Sequence, residues 1–215
     1  AGLRVWDLGC GEGFMGRQLL AQHPALVEGV DFSVAMVEAA RDQAGDAAFE
    51  CGGPLRYRVG DLARPEQLPQ VHCDLAMAVF LFNYLSLEAT TTVLRHVQQG
   101  LKPGGRFLFT VPHPSLAFLR PQEPPFFFDP AGQTYLQATD QQFEGMIWRR
   151  DGVSNPVRSV HKTLADYFAA LHQSGWTSLP HVEELGVTDA HLAIDPEFFG
   201  PLKGWPLHLL FELTR

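Results

Sequence analysis

Near its start the chain reads Leu3-Arg4-Val5-Trp6-Asp7-Leu8-Gly9-Cys10-Gly11-Glu12-Gly13-Phe14-Met15-Gly16. The run from Leu3 to Leu8 reads as a strand. A glycine-rich turn follows, and then a helix is expected over about 13–22. Glycines between a strand and a helix let backbone N–H groups approach a ligand at the helix N-terminus. The segment from Gly11 to Gly16 also spells GxGxxG, a string that nicotinamide- and flavin-binding proteins share. The acid before it discriminates. Asp7 lies two residues ahead of the first glycine, at the strand's end. A carboxylate there repels a pyrophosphate and suits a ligand carrying an ammonium or sulfonium group.

Working outward, Leu26 to Asp31 reads as a second strand, and Ser33 suits the N-cap of a helix with Met36, Val37 and Ala40 on one face. Leu55 to Val59 alternates as a third strand. Asp74 to Phe80 is an apolar run behind one acid, as expected of a buried parallel strand. A helix is expected over about 87–101, with Pro103-Gly104-Gly105 breaking it before a fifth strand, Arg106 to Val111. Repeated β-α units with short links predict an α/β fold with a parallel sheet. Residues 112–160 carry prolines, aromatics and polar turns without clear periodicity. That stretch is too long for an ordinary connection, so it reads as an insertion with a partial fold of its own. Thr163 and Asp166 suit a capping box, Gly175 ends that helix, and Trp176 to Leu185 and Leu207 to Leu213 read as closing strands. The expected organisation is one domain: a ligand-binding half over 1–111, the insertion over 112–160, and a closing helix and strands over 161–215.

Composition narrows the function. The 215 residues suit one globular domain, with 46% hydrophobic and 19% charged residues arguing against disorder. The net charge of −8 disfavours a nucleic-acid partner. No apolar run approaches the roughly 18–20 residues of a membrane span, and no signal peptide heads the chain. Cys10, Cys51 and Cys73 form neither a disulfide framework nor a zinc pattern, and the nine histidines make no close metal pair. The expectation is a cytoplasmic protein without a metal.

The turn and its neighbours resemble the class I S-adenosylmethionine-dependent methyltransferases, closely over residues 3–111 and more loosely beyond. Val5 to Gly13 looks like their first motif, with Asp7, Gly9, Cys10, Gly11 and Gly13 at the cofactor. Gly29-Val30-Asp31-Phe32-Ser33 looks like the second, with Asp31 matching the acid that holds the ribose hydroxyls and Phe32 beside it. One carboxylate can accept from two vicinal hydroxyls. Gly60-Asp61-Leu62 looks like the third, where Asp61 would accept from the adenine amino group and the Leu62 N–H would face the ring. Leu101-Lys102-Pro103-Gly104-Gly105 looks like the turn before their fifth strand. The resemblance implies a Rossmann-like, doubly wound, seven-stranded and mostly parallel sheet with the last strand antiparallel. It also implies Phe80 at the methionine part of the cofactor and Met36 near the adenine. Plain core packing is the alternative for both.

Such enzymes move a methyl group by in-line displacement, so the protein must position a nucleophile and exclude water. Nucleic-acid and glutamine-methylating relatives carry an Asn/Asp-Pro-Pro-Tyr/Phe motif after strand four. Val79 to Tyr84 holds no proline, and Glu123-Pro124-Pro125-Phe126 follows strand five instead. The expected acceptor is a small molecule, methylated on O, N or C by a monomer or homodimer. Phe118, Phe126, Phe127, Phe128, Tyr135, Phe143 and Trp148 can wall its pocket, or form the insertion's own core or a subunit interface. Tyr84, His113 and His161 are the candidates for contacting it or taking its proton. Arg149 and Arg150 could bind an acceptor carboxylate, with solvated side chains as the alternative. Relatives have helices ahead of the first strand, so the chain reads as a domain of a longer protein or as one whose insertion serves as lid. A nicotinamide oxidoreductase is disfavoured by Asp7 and by the lack of Lys four residues after any of Tyr57, Tyr84, Tyr135 and Tyr167. The remaining alternative is a scaffold domain on a methyltransferase fold that binds the cofactor without turnover.

Overall fold

The computed structural model describes residues 1–215, the side chain of Pro65 excepted. The first half alternates as the sequence predicts: β1 (Arg4–Leu8), α1 (Phe14–Leu19), β2 (Leu26–Asp31), α2 (Val34–Ala44), β3 (Leu55–Val59), β4 (Cys73–Val79), α3 (Leu87–Gly100) and β5 (Leu101–Pro112). The insertion holds α4 (Leu116–Leu119), β6 (Phe126–Asp129), β7 (Gln142–Trp148) and β8 (Ser154–Val160). The chain closes with α5 (Leu164–Gln173), β9 (His181–Leu185), α6 (Asp189–Ile194), α7 (Pro196–Phe199) and β10 (His208–Thr214).

Seven strands make one sheet in the order β3-β2-β1-β4-β5-β10-β9, and β6-β7-β8 make a separate antiparallel sheet. β10 runs against both β5 and β9, so it alone opposes the other six. The strand order reverses at β1, which pairs with both β2 and β4. In open α/β sheets the crevice beyond the carboxyl ends at such a switch point is where ligands bind.

Each face of the sheet has its own core. On one side α3 and α5 pack Val93, Leu94, Val97, Tyr167 and Leu171 onto Phe107, Phe109 and Phe211. There Phe109 and Phe211 stack with ring centroids 4.5 Å apart. On the other, Val37, Ala40 and Ala44 of α2 cover Val5, Val27, Leu55 and Tyr57. The α2 stripe is therefore Val37-Ala40-Ala44, and Met36 falls off it, 43% exposed. Both helix starts are capped as expected. The Ser33 hydroxyl accepts the Met36 N–H, and Thr163 and Asp166 form a reciprocal capping box.

Tyr57 explains three glycines. Its ring lies in a slot where a Cβ at Gly13, Gly16 or Gly29 would collide with it, and its hydroxyl donates to the Gly13 carbonyl at 3.2 Å. Close approach of α1 to the sheet thus sets the later glycines of the turn.

Three boundaries differ from expectation. Helix α1 tightens into a 3-10 turn over Leu20–Gln22. The β5 ladder begins already at Leu101, opposite Cys73, and Pro103-Gly104-Gly105 forms an irregularity inside it. Trp176 lies before β9 rather than in it, because its ring is buried and its indole N–H donates to the Leu94 carbonyl at 3.2 Å. Gly29→Ala is expected to lower unfolding free energy by about 1–3 kcal/mol through the clash with Tyr57. Gly200→Ala, which meets nothing within 4 Å, is the control that should stay within about 0.5 kcal/mol in urea denaturation.

Candidate active site

The turn after β1 is pinned to β2. The Gly9 and Cys10 N–H groups both donate to the Val30 carbonyl, at 2.8 and 3.1 Å. The Gly11 N–H donates to Asp31 Oδ2 at 2.9 Å, and the Ser33 N–H donates to Asp31 Oδ1 at 2.9 Å. Each carboxylate oxygen of Asp31 keeps a further lone pair for a ligand hydroxyl. Gly11 sits at φ +51° with open space where a Cβ would lie, whereas a Cβ at Gly9 would press on Leu81 at 3.2 Å. Gly13 faces inward onto Tyr57, so its place in the turn is one of packing. Cys10 is buried, and burial pushes its thiol up.

Asp7 is 2% exposed, and its Oδ2 has no hydrogen-bond partner. Burial, with Asp31 nearby, pushes its carboxyl up to about 7 against the pull of the Gly16 amide. Among the described residues neither Asp7 nor Asp31 has a salt-bridge partner. Two acids and an orphaned buried oxygen, without a protein cation, fit a ligand that carries its own positive charge. Around them Phe32 is 76% and Met36 43% exposed. Asp61 accepts the Ala63 N–H at 3.0 Å and meets Arg64 at 3.4 Å, while the Leu62 side chain is buried in the core.

The loop after β4 carries the site across the sheet. Phe80 adopts φ +54° and its N–H donates to the Thr110 carbonyl at 3.1 Å. Leu81 lies beneath Gly9. Phe80, Asn83 and Tyr84 then line a cavity of about 570 Å³, closed by Phe126, Phe128 and Trp148 of the insertion and by His208. Asn83 is 4% exposed, and its Oδ1 has no partner.

The three polar candidates are not brought together. Tyr84 is 57% exposed on the cavity rim. His113 and His161 border a separate narrow recess of about 20 Å³, which meets the cavity only at Asn83 and at Pro112 and Phe128. Both histidines have protein partners. His113 Nδ1 accepts from the Ser115 N–H at 3.3 Å and Nε2 lies 3.1 Å from Glu184, so both nitrogens are in use. His161 is buried, its Nε2 donates to the Tyr135 carbonyl at 3.0 Å, and Phe118, Tyr135 and Phe143 pack around its ring. The insertion's aromatics thus divide: Phe126, Phe128 and Trp148 wall the cavity, and the other cluster is internal core. Arg149 is exposed and pairs with Asp151 at 2.8 Å.

Sequence reasoning missed Asn83 and His208. Asn83 is the lone amide in the apolar run Val79 to Leu85, which is a readable signal. His208 reaches the cavity through its register opposite Pro112, which a sequence alone does not disclose. Its ring meets Phe80 edge-on at 4.8 Å and stacks on Phe126 at 6.3 Å.

Because the Asp7 carboxyl is raised from 3.8 to about 7, the free fold binds a proton there that the unfolded chain has lost. Stability therefore falls as pH rises from about 4 to about 7. Asp7→Asn is expected to stabilise the free protein by about 1–3 kcal/mol at pH 8, and by far less at pH 4, in urea denaturation at both pH values.

Residues 5–105 match a family described as methyltransferase domain. No curated protein matches the chain in sequence. Among solved structures, an S-adenosylmethionine-dependent methyltransferase from Mesorhizobium loti is 26% identical, with a TM-score of 0.70 covering 100% of this chain and 92% of that one. The CcbJ methyltransferase from Streptomyces caelestis shares the fold at 18% identity, TM-score 0.67, covering 100% and 84%. DhpI, solved as a complex with S-adenosylhomocysteine, shares it at 16% identity, TM-score 0.58, covering 99% and 76%. The chain thus carries a methyltransferase domain over residues 5–105, and its whole length shares the fold of S-adenosylmethionine-dependent methyltransferases.

Proposed function

We propose that the chain methylates an O, N or C atom of a small molecule held in the cavity between the loop after β4 and the insertion. One observation carries this reading. The loop of residues 80–84 is a shared wall, with Leu81 under Gly9 of the cofactor turn and Phe80, Asn83 and Tyr84 facing the cavity. Its volume of about 570 Å³ and its apolar lining suit a small molecule.

In this proposal Asp31 accepts from the ribose hydroxyls, Asp61 and the Leu62 N–H take the adenine edge, and Phe32 and Met36 flank the ring. Asp7, with the turn from Gly9 through Cys10 and Gly11 to Gly13, faces the cationic amino-acid end, and the Phe80 carbonyl faces the methionine part. Bound S-adenosylmethionine supplies a methyl group activated by a sulfonium charge. The chain's residues orient the acceptor and exclude water, and Tyr84 is placed to contact it. The proton released by the acceptor leaves to solvent or to a base that the acceptor's own acidity dictates. Three unpaired cysteines suit a reducing cytoplasm.

Calorimetric titration with S-adenosylhomocysteine tests the cofactor assignment. Binding is expected in wild type, with at least a tenfold loss in Asp31→Ala. Wild-type affinity should fall as pH drops below about 7, where Asp7 takes up its proton, and Asp7→Asn should show no such dependence. Labelled methyl donor incubated with separated metabolite, protein and RNA fractions tests the acceptor. Label is expected among the metabolites, and transfer only to protein or RNA overturns the proposal.

A further inference from the structure

We infer that His208 is the residue that holds the acceptor, its imidazole taking a hydrogen bond from an O–H or N–H on a flat, largely apolar molecule. The inference rests on the cavity being the acceptor site, as proposed above. It narrows the methylated atom to an oxygen or nitrogen that carries a hydrogen.

Register aims the ring. On β10, Leu209, Phe211 and Leu213 are buried in the core beneath α3 and α5. Strand alternation therefore sends His208, the residue before them, to the opposite face. Both of its strand neighbours, Pro112 of β5 and Leu185 of β9, line the cavity. Both of its ring contacts line it too, Phe80 edge-on at 4.8 Å and Phe126 stacked at 6.3 Å. His208 does not border the narrow recess of His113 and His161. The surface that its ring leaves uncovered is thus cavity surface.

Both ring nitrogens are open to a ligand. Neither has a hydrogen-bond partner among the described residues, and neither is one of the enclosed atoms that lack a partner. The other imidazole of the lining differs, because His191 Nδ1 already accepts the Thr188 N–H at 3.1 Å. Burial beside His113 pushes the His208 imidazole down to about 4, so it is neutral at physiological pH. A neutral imidazole keeps one nitrogen as an acceptor, and an imidazolium has none. The walls around it, from Phe80, Phe126, Phe128 and Trp148, suit a flat apolar body. In such a setting a ligand that covers the ring without a donor leaves that nitrogen unmet, at a cost to binding. The contact lies against Phe80, next to Leu81 under Gly9 of the cofactor turn. The bound O–H or N–H is therefore held at the wall shared with that turn, which makes its oxygen or nitrogen the atom methylated.

The probes are indole, whose one polar group is an N–H donor, and 1-methylindole, which has none. Both are titrated by calorimetry at pH 7, with and without saturating S-adenosylhomocysteine. Wild type is expected to bind indole about fivefold tighter, as one net hydrogen bond dictates. His208→Phe keeps an aromatic ring and should bind the two probes alike. His208→Gln keeps an acceptor and should retain most of the preference. Nitrogen NMR of the histidine rings in wild type gives a readout that depends on no variant folding: the His208 signal should move several times further with indole than with 1-methylindole. Equal affinity for the two probes in wild type overturns the inference. So does an undiminished preference in His208→Phe, a His208 signal that indole leaves in place, or no binding of either probe. With the indole preference intact, failure of S-adenosylhomocysteine to bind counts against the cofactor assignment alone, and methyl label confined to protein or RNA counts against the acceptor reading.

Discussion

One buried positive charge, the Lys162 ammonium, orders the loop after β4 that lies against the cofactor turn. The three N–H donors of Lys162 meet three carbonyls, those of Phe82, Leu85 and Val160. Burial pushes this ammonium down to about 8, while Asp140 and Asp166 pull the other way. Those two acids are themselves structural. Asp140 Oδ1 accepts the Leu87 N–H at 2.6 Å at the start of α3, and Asp166 closes the capping box of α5. One network therefore fixes the loop after β4, the end of the insertion and the first turns of two core helices. The cavity inherits its shape from that network, because Asn83 and Tyr84 lie on the loop it holds.

The two ends of the site solve opposite electrostatic problems. At the turn, Asp7 and Asp31 leave negative charge without a protein cation, so the free fold carries a cost that a cationic ligand relieves. At the cavity, no Asp, Glu, Lys or Arg lies among the described lining residues. The stretch Leu81 to Asn83 stands between these environments and separates them by only a few residues. Stability surrendered at the first end is regained in the aromatic core, where Phe107, Phe109, Phe211, Tyr167 and Trp176 pack against one another.

Most of the cofactor half was legible in the sequence because its determinants are local. Strand periodicity, a Ser33 cap and glycines between a strand and a helix lie within a few residues of one another. The acids Asp7 and Asp31 are strand-end residues for the same reason. What escaped was set by long-range pairing. The reason for Gly13, Gly16 and Gly29 is Tyr57, on another strand. His113 looked free until Ser115 and Glu184 used both of its nitrogens, and Glu184 is 71 residues away in sequence. His161 lay in the right segment but turned inward onto the insertion's aromatics. Residues 112–160 showed no period because their three strands are short and irregularly exposed, with proline in β8.

The cavity's walls and the cofactor turn are drawn from different stretches of chain. The turn and its acids belong to residues 7–36, while most of the cavity's lining comes from residues 125–157 and 185–208. The insertion sheet makes its strand pairs only within itself. That sheet can be exchanged or rebuilt without altering the register of the main one. The architecture is thus modular with respect to evolution: the insertion sheet, which supplies part of the cavity's wall, can change while the turn after β1 and its acids stay as they are.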